Sequence, residues 1–328
     1  MRFILFNSEV HQSYGIYKDL ENSEKVDVIL RREKKVQNSI LKKVKYIHLS
    51  GAISKYINLP LKEIWYEDCD FKISSNEQYY ILFDDLAIRT FSQSELNKFT
   101  DAGNVKCILL LLNSMDSEIM KRSGIRNKVV NTKWDDIYTF DPEDVKKYHF
   151  KYLNFCYYSK HDVKVTTENE NQIYYVGALY NDRKKFIYDI YNWFVQNDVT
   201  VDFHLQKHGT DNNLELPYSD KIHYFTGSKG RLSYDEIIAG DLRAGTILEV
   251  VQKNQAGPTL RYFEAVVYNR KFLTNNREIV NFPFYNEKYM KIFDRPENIN
   301  IDWVKSRELP EYNYNNEFSP LHLLEKIS

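Results

Sequence analysis

The sequence predicts an α/β protein of two domains, each built on a largely parallel sheet. Short apolar runs rich in β-branched residues alternate with helix-like stretches along the whole chain, as expected for strands joined by helical crossovers. At 328 residues the chain exceeds the usual size of one domain, and 43% hydrophobic residues are enough for a core in each half. Residues 165–172 are polar and lack periodicity, so we place the linker there.

Composition limits the partners and the compartment. The net charge of −1 gives no general attraction to nucleic acid, so we expect no nucleic-acid partner. The longest internal apolar run, residues 107–112, is far shorter than the roughly 20 residues that span a bilayer, and the apolar N-terminus is too short for a signal peptide. Three cysteines without a CxxC pair predict a reducing environment: Cys69, Cys107 and Cys156. We therefore expect a cytoplasmic protein, with peripheral contact to the inner face of the cell membrane as an added option.

Seven short apolar runs in the first half are predicted strands. They occupy residues 2–6, 26–30, 45–49, 64–66, 79–83, 106–112 and 137–140. Asp141 and Pro142 follow the last of them and are typical of an N-cap and a first helical position. The charge run 31–35 predicts a solvated turn, or alternatively a contact for anionic lipid headgroups.

Polar side chains that follow two of these strands are candidates for acid–base chemistry. In an open parallel sheet the ligand crevice lies at the carboxyl ends of the strands. Ser8, His11 and Gly15 follow the first strand, and Asp84 and Asp85 follow the strand at 79–83. We predict His11, Asp84 and Asp85 as catalytic candidates. The alternatives are a surface histidine and carboxylates that only cap a turn.

Residues 245–276 predict a βαβ unit with an anion site. An apolar run at 246–251 is followed by a polar loop, a helix over 257–268 and a second apolar run at 271–274. The free N–H groups and dipole at the helix start favour a phosphate. Glu264, about two turns in, can accept hydrogen bonds from the two hydroxyls of a ribose, with Arg261 nearby. The alternative is that Arg261 and Glu264 are exposed helix residues.

A second strand–helix unit begins the second domain. The run 173–179 contains Gly177, which we take as the strand end, and the helix at 186–196 follows the basic Arg183 and Lys184. Farther on, His204 and His208 are four residues apart, but Gly209 follows and no glutamate separates them, so no zinc site is predicted. Residues 234–238 predict a short helix that stops near Gly240, and residues 321–327 predict a last helix after Ser319 and Pro320.

The second half resembles the donor-binding domain of the GT-B glycosyltransferases. Gly257, the pair Glu264-Ala265 and the strand ending Thr274-Asn275-Asn276 match that pattern in order and spacing, and Arg183 stands six positions after Gly177, as a basic residue does there. One position departs, because many retaining members carry a second glutamate where this chain has Ala256.

The resemblance implies a fold, a donor and a set of contacts. The fold is α/β with two Rossmann-like domains facing a cleft: residues 1–168 on the acceptor side, 169–300 binding the nucleotide sugar, and 301–328 packing back on the first domain. The donor is a nucleotide sugar, UDP-linked, and no separate cofactor or metal is required. Glu264 would hold the ribose, and the phosphates would be held by Gly177, Arg183, Lys184, Gly257, Pro258, Thr259 and Arg261. Arg183 is also a catalytic candidate, because its charge would stabilise the departing diphosphate.

The expected function is transfer of a sugar from this donor to a surface glycan or lipid-linked acceptor, in capsule, exopolysaccharide or lipopolysaccharide biosynthesis. Two alternatives stay open: a nucleotide-sugar epimerase of the same fold, and a non-catalytic partner subunit, which the residue Ala256 favours. A rival for the diphosphate site is the triplet Asp68-Cys69-Asp70, whose carboxylates can hold a divalent ion.

Overall fold

The computed structural model describes residues 2–50, 61–67, 74, 76–122, 124–165, 169–179, 181–207, 221–226, 230–251 and 256–327. The chain divides into two compact units, the first formed by Met1–Ser159 with Phe318–Ser328 and the second by Lys160–Glu317. Each unit contains a six-stranded sheet in which every described strand pair is parallel. The predicted α/β class with two parallel sheets is confirmed.

The sheet of the first unit has the strand order β2-β1-β3-β4-β5-β6. The strands are β1 (Arg2–Asn7), β2 (Val26–Leu30), β3 (Tyr79–Asp84), β4 (Val105–Leu111), β5 (Asp136–Thr139) and β6 (Lys151–Tyr152). The described helices are α1 (Glu9–Ser13), α2 (Lys18–Glu21), α3 (Ser39–Leu49), α4 (Gln93–Thr100), α5 (Glu118–Arg122), α6 (Ile125–Asn131), α7 (Pro142–Tyr148) and, at the chain end, α12 (Leu321–Ile327), with 3₁₀ turns at Lys62–Trp65 and Ala87–Thr90.

The sheet of the second unit has the order β12-β11-β10-β7-β8-β9. Its strands are β7 (Asn169–Leu179), β8 (Thr200–Lys207), β9 (Ile222–Thr226), β10 (Ala244–Glu249), β11 (Lys271–Thr274) and β12 (Met290–Ile292). Its described helices are α8 (Asn181–Gln196), α9 (Tyr234–Arg243), α10 (Leu260–Val267) and α11 (Ile301–Lys305), with 3₁₀ turns at Arg277–Asn281 and Pro296–Asn298.

Local sequence explains most of these elements. The central strands β3 and β10 are buried along their whole length, which accounts for their continuous apolar runs. Asp141 caps α7 by accepting a 2.9 Å hydrogen bond from the Glu143 N–H, with Pro142 at the first helical position as predicted. Capping boxes start α4 and α9, each formed by a serine and the glutamate three residues later.

Several predicted elements were wrong. Residues 45–49 end the helix α3, because Asn38 caps it and its apolar residues recur at helical spacing over a longer window than five residues. Residues 64–66 are mainly a 3₁₀ turn, and β7 begins at Asn169, inside the predicted linker. The helix α9 continues past Gly240 to Arg243, so this glycine does not end it. A glycine stands there because the ring of Tyr174 occupies the space that a side chain would need.

Each strand order contains one switch point, where successive strands are added to opposite sides of an earlier strand. In the first unit the switch lies between β1 and β3, and in the second between β7 and β10. The crossovers leave a crevice at the carboxyl ends of the two strands beside such a point, which is where open α/β sheets bind ligands. The structure therefore defines one ligand-binding edge in each unit.

Candidate active site

At the switch point of the first unit, a histidine and an aspartate form a buried pair. His11 lies on α1, directly after β1, and its Nδ1 atom contacts Oδ2 of Asp84, the last residue of β3. The same oxygen accepts a 2.8 Å hydrogen bond from the Ser8 hydroxyl, which also caps α1. The other oxygen of Asp84 accepts the backbone N–H groups of Leu86 at 2.6 Å and Ala87 at 3.3 Å. These bonds fix the carboxylate and leave Nε2 of His11 as the ring nitrogen available for proton transfer.

The pair is electrostatically polarised. Burial lowers the pKa of His11, but the negative charge of Asp84 and the hydrogen bond to it outweigh burial, so the pKa is raised above its ordinary value. Burial raises the pKa of Asp84, and the His11 charge with the hydrogen bonds from His11 and Ser8 outweighs it, so that pKa is lowered. The carboxylate therefore stays ionised and stabilises the imidazolium that forms when His11 takes a proton.

Asp85 differs from its neighbour. Its Oδ2 accepts hydrogen bonds from the N–H groups of Leu112 and Asn113 at the end of β4, at 3.0 and 2.8 Å, while Oδ1 accepts none from the described residues. Burial, followed by the charge of Asp84, raises the pKa of Asp85 to about 7. It is a second group that can exchange a proton near neutral pH.

The structure thus brings together Ser8, His11, Asp84 and Asp85, which the sequence analysis had selected separately. The alternative of a surface histidine was wrong, since His11 is only 6% exposed. Asp84 does cap a turn, as the other alternative held, in addition to contacting His11. Two further polar groups escaped the sequence analysis: the Tyr17 hydroxyl and the Asn7 amide are buried without a hydrogen-bond partner among the described residues.

At the switch point of the second unit, Arg183 joins the two strand ends. Its guanidinium donates to the carbonyl of Val250, just beyond β10, at 2.6 Å and to the carbonyl of Ala178 in β7 at 3.0 Å. Lys184 beside it is buried, so it does not belong to a solvated helix start. The guanidinium of Arg183, predicted to contact a donor phosphate, therefore lies at the carboxyl ends of β7 and β10.

Packing explains why a glycine stands at position 177, apart from its predicted role in donor binding. It lies inside β7, which continues to Leu179, so the prediction that it ends the strand was wrong. A Cβ at this position would come within 2.4 Å of the Tyr175 hydroxyl, because the Tyr175 ring lies over the glycine. An alanine at position 177 would displace a buried ring.

The start of α10 lies later than predicted. Thr259 is the N-cap, so Gly257 and Pro258, both buried, belong to the preceding loop. The Thr259 hydroxyl donates to Glu249 at the end of β10, and that carboxylate also accepts a 2.5 Å hydrogen bond from Thr274. Glu249 was missed by the sequence analysis because it ends an otherwise apolar strand.

Glu264 is enclosed. The carboxylate is fully buried, accepts a 2.7 Å hydrogen bond from the Tyr234 hydroxyl and pairs with Arg261 at 2.6 Å. Arg261 also approaches the buried Asp241 at 3.3 Å. Burial, followed by the charge of Glu264, raises the pKa of Asp241 well above its ordinary value, and the single cation Arg261 lies between the two carboxyl groups. The alternative that Arg261 and Glu264 are exposed was therefore wrong, and Asp241 and Tyr234 are the partners that the sequence did not reveal.

The remaining expectations concern the charge run at 31–35, the candidate metal ligands and membrane-spanning segments. Arg31, in the predicted solvated run, is instead enclosed, with hydrogen bonds to Glu95 at 2.6 Å and to the Thr90 carbonyl at 3.0 Å. Asp68, Cys69, Asp70 and His208 lie outside the described residues. Within the part of the chain that the structure describes, no helix is both long and apolar enough to cross a membrane.

Comparison with known proteins places the fold. No family model matches the sequence, and no curated protein sequence matches it. An alpha-glucosyltransferase in complex with UDP and a 13-mer DNA containing a HMU base is similar over 93% of this chain and 88% of that chain, with a TM-score of 0.55 and 9% identity. The same kind of enzyme with UDP and a 13-mer DNA containing a central A:G mismatch gives a TM-score of 0.51 at 10% identity, with the same coverage. TarM gives 0.49 at 12% identity, over 78% of this chain and 55% of that chain.

These identities are low, so the similarity establishes the fold alone. The fold is the GT-B-like α/β class that the sequence resemblance implied, with a six-stranded parallel sheet in each of two units.

Proposed function

We propose that this GT-B chain is a glycosyltransferase that moves a sugar from a UDP-linked donor to a hydroxyl of a surface glycan or lipid-linked acceptor. The observation that carries the proposal is the His11–Asp84 pair at the switch point of the first unit. Its form, a carboxylate that orients one ring nitrogen and leaves the other for the substrate, is that of a general base. The bound UDP in a similarly folded glucosyltransferase supports the choice of nucleotide.

In the proposed reaction, Nε2 of His11 takes the proton of the acceptor hydroxyl. The acceptor oxygen forms a bond to the anomeric carbon of the sugar, and the bond from that carbon to the diphosphate breaks. Asp84 stabilises the imidazolium, and the proton is later released to solvent. The group that accumulates charge is the departing nucleoside diphosphate.

The second unit would bind that diphosphate without a metal ion. Arg183 and Lys184 supply positive charge at the edge of the sheet, and the loop Gly257-Pro258-Thr259 leads to the free N–H groups at the start of α10. The ribose is assigned to Glu264, although that carboxylate is enclosed by Arg261 and Tyr234. Nucleotide binding at Glu264 therefore requires these partners to shift.

The first unit also carries a surface suited to an anionic membrane. Within the described helix α3 no residue is buried, and Ile40 and Ile47 are 70% and 51% exposed on one face with Val44. Lys42 and Lys45 lie on the opposite face, where Lys45 pairs with Glu33 at 2.7 Å. A cavity of about 530 Å³ beside them is lined by Lys34, Lys35, Lys42 and Lys45 together with Glu33. A helix with apolar residues on one face and lysines on the other binds at the interface of a membrane with anionic lipids. This arrangement favours a lipid-linked acceptor.

The activity is tested with a panel of nucleotide sugars, with and without lipid-linked and glycan acceptors. Release of free nucleotide with a glycosylated product supports the proposal, and the anomer of the product gives the stereochemical course. Interconverted nucleotide sugar without acceptor would instead identify an epimerase, and no turnover with any donor would favour a partner subunit. A DNA acceptor belongs in the panel because the similar glucosyltransferases hold DNA, although the net charge of −1 argues against it.

Replacing Glu264 with alanine is expected to weaken nucleotide binding by about 1–3 kcal/mol, since a ribose hydroxyl would lose its acceptor. Calorimetry with UDP measures this on protein shown by circular dichroism to be folded. Asp144→Ala is the matched control, because Asp144 is also a buried carboxylate but lies in the first unit, away from the donor residues. Unchanged affinity in Glu264→Ala, or an equal loss in Asp144→Ala, would contradict the assignment.

Replacing Ile47 on α3 with glutamate is expected to lower binding to phosphatidylglycerol vesicles about 10-fold or more, because burial of such a side chain is worth about 1.5–3 kcal/mol. Co-sedimentation measures the bound fraction. Val130→Glu on α6 is the control, since Val130 is 61% exposed on another helix. Equal losses of vesicle binding in both variants would count against a specific membrane surface at α3. So would a bound fraction that does not depend on the lipid charge or the salt concentration.

A further inference from the structure

We propose that Asp202, His204 and His223 form a binding site for a divalent transition-metal ion, with zinc as the best fit. All three belong to the sheet of the second unit. Asp202 and His204 are two residues apart on β8, so they point to the same face, and His204 is the direct cross-strand partner of His223 on β9. The strands themselves therefore hold the three side chains together.

The distances fit a shared ion. Nε2 of His204 lies 2.9 Å from Oδ1 of Asp202, and Nε2 of His223 lies 3.6 Å from the same oxygen. Ligand atoms from all three residues lie within 4.8 Å of one another. Two ligands of one zinc ion, each about 2.0–2.1 Å from it at a tetrahedral angle, are roughly 3.3 Å apart. The observed spacings lie on either side of that value.

Hydrogen bonding does not explain the cluster. Oδ1 of Asp202 is buried, yet it accepts no hydrogen bond from the described residues, although Nε2 of His204 is only 2.9 Å away. The contact is close, but it does not form a hydrogen bond. A buried carboxylate oxygen without a donor is unfavourable. A cation between the oxygen and the two imidazoles would satisfy all three atoms.

The site is open to an incoming ion and its water. The side chains of Asp202 and His204 are 19% and 16% exposed, and that of His223 is 52% exposed. Two histidines and one carboxylate suit zinc and leave its fourth position for water.

The ion would be structural. Asp202 and His204 lie in the middle of β8, which ends at Lys207, and the donor residues lie at the β7–β10 switch point, on the other side of β7 from β8. An ion held by both β8 and β9 joins the edge strand β9 to its neighbour β8. Binding should therefore raise the melting temperature and leave turnover unchanged.

The test uses the full chain, freed of metal by chelator and dialysis, with zinc chloride as the probe. Isothermal titration should show one ion bound through this cluster and a higher melting temperature. Asp202→Asn and His223→Ala should each weaken that binding at least about 10-fold and remove the rise in melting temperature. His322→Ala on α12 is the matched control and should change neither, because His322 lies in the first unit.

A second group of side chains, His11, Asp84 and Asp85, also has ligand atoms close enough to hold a metal ion. The number of zinc ions bound per chain therefore has to be measured. If it also binds zinc, the wild type holds two ions and Asp202→Asn retains one. Asp85→Asn distinguishes the two sites, because it leaves the β8–β9 cluster intact. The inference is overturned if the wild type binds no zinc. It is also overturned if Asp202→Asn and His223→Ala, both folded by circular dichroism, keep the wild-type stoichiometry and affinity.

Discussion

Replacing His11 with asparagine is expected to lower turnover about 10²- to 10⁴-fold, which is the usual contribution of a positioned general base. The asparagine amide can still donate to Asp84, so the carboxylate keeps a partner and the buried site keeps its shape. Nucleotide affinity should stay unchanged, because the donor is assigned to the second unit. Steady-state rates with a competent donor and acceptor, together with calorimetry for UDP, check both parts.

The pH profile separates His11 from Asp85 as the base. A general base can take a proton only in its deprotonated form, which is a neutral imidazole for His11 and a carboxylate for Asp85. We therefore expect kcat/KM to rise with pH through the pKa of the base. For His11 burial lowers the pKa, but Asp84 outweighs burial, so the rise lies above the ordinary histidine value. In Asp84→Asn that rise should move to lower pH, with a reduced rate. Asp84→Asn also removes a charge that raises the pKa of Asp85, so the two candidates are separated by their own variants. A rise with pH that survives in His11→Asn and disappears in Asp85→Asn would transfer the role to Asp85.

Replacing Arg183 with alanine is expected to lower turnover about 10²- to 10³-fold, the cost of losing one preorganised charge at a transition state. Arginine suits the departing diphosphate because it stays charged and can bind two phosphate oxygens at once. Lys184→Ala should cause a smaller loss. The control is the melting temperature of the variant, because Arg183 also donates hydrogen bonds to the carbonyls of Ala178 and Val250. A lower melting temperature with unchanged kcat would reduce Arg183 to a link between strand ends.

Excess chelator should leave turnover intact, because Arg183 and the start of α10 supply the positive charge that stabilises the departing diphosphate. Loss of zinc from the β8–β9 cluster should not alter this result, since that cluster lies away from the donor residues. The rival assigns the diphosphate to a metal on Asp68 and Asp70. Turnover that chelator abolishes and manganese restores, with little effect of Arg183→Ala, would support the rival.

The sequence indicates the candidate catalytic residues one by one, but it does not show that they contact each other. His11 and Asp84 were chosen because polar residues after strands lie near ligands in parallel sheets. Their contact spans 73 positions and depends on β1 and β3 being neighbours, which the order β2-β1-β3 provides. Strand order is set by long-range packing, and a local pattern does not contain it.

The carboxylates of the second unit make the same point. Glu264 was selected by spacing along one helix, and spacing could not show that α9 would place Tyr234 and Asp241 against it and enclose it. Similarly, His204 was considered with His208, four residues later. Its observed neighbours are Asp202 and His223, because the segment is a strand and its contacts follow strand geometry.

The sequence by itself determined the α/β class, the parallel sheets, the strand β11 at residues 271–274 and the start of α7, because hydrophobic period and capping residues act over a few neighbours. It missed the helix α3, whose apolar face packs against no core. Only the tertiary structure decided the two switch points, the burial of Glu264 and the grouping of Asp202 with two histidines. Those features depend on which distant segments pack together, and the free energy of that packing is shared among residues far apart in the chain.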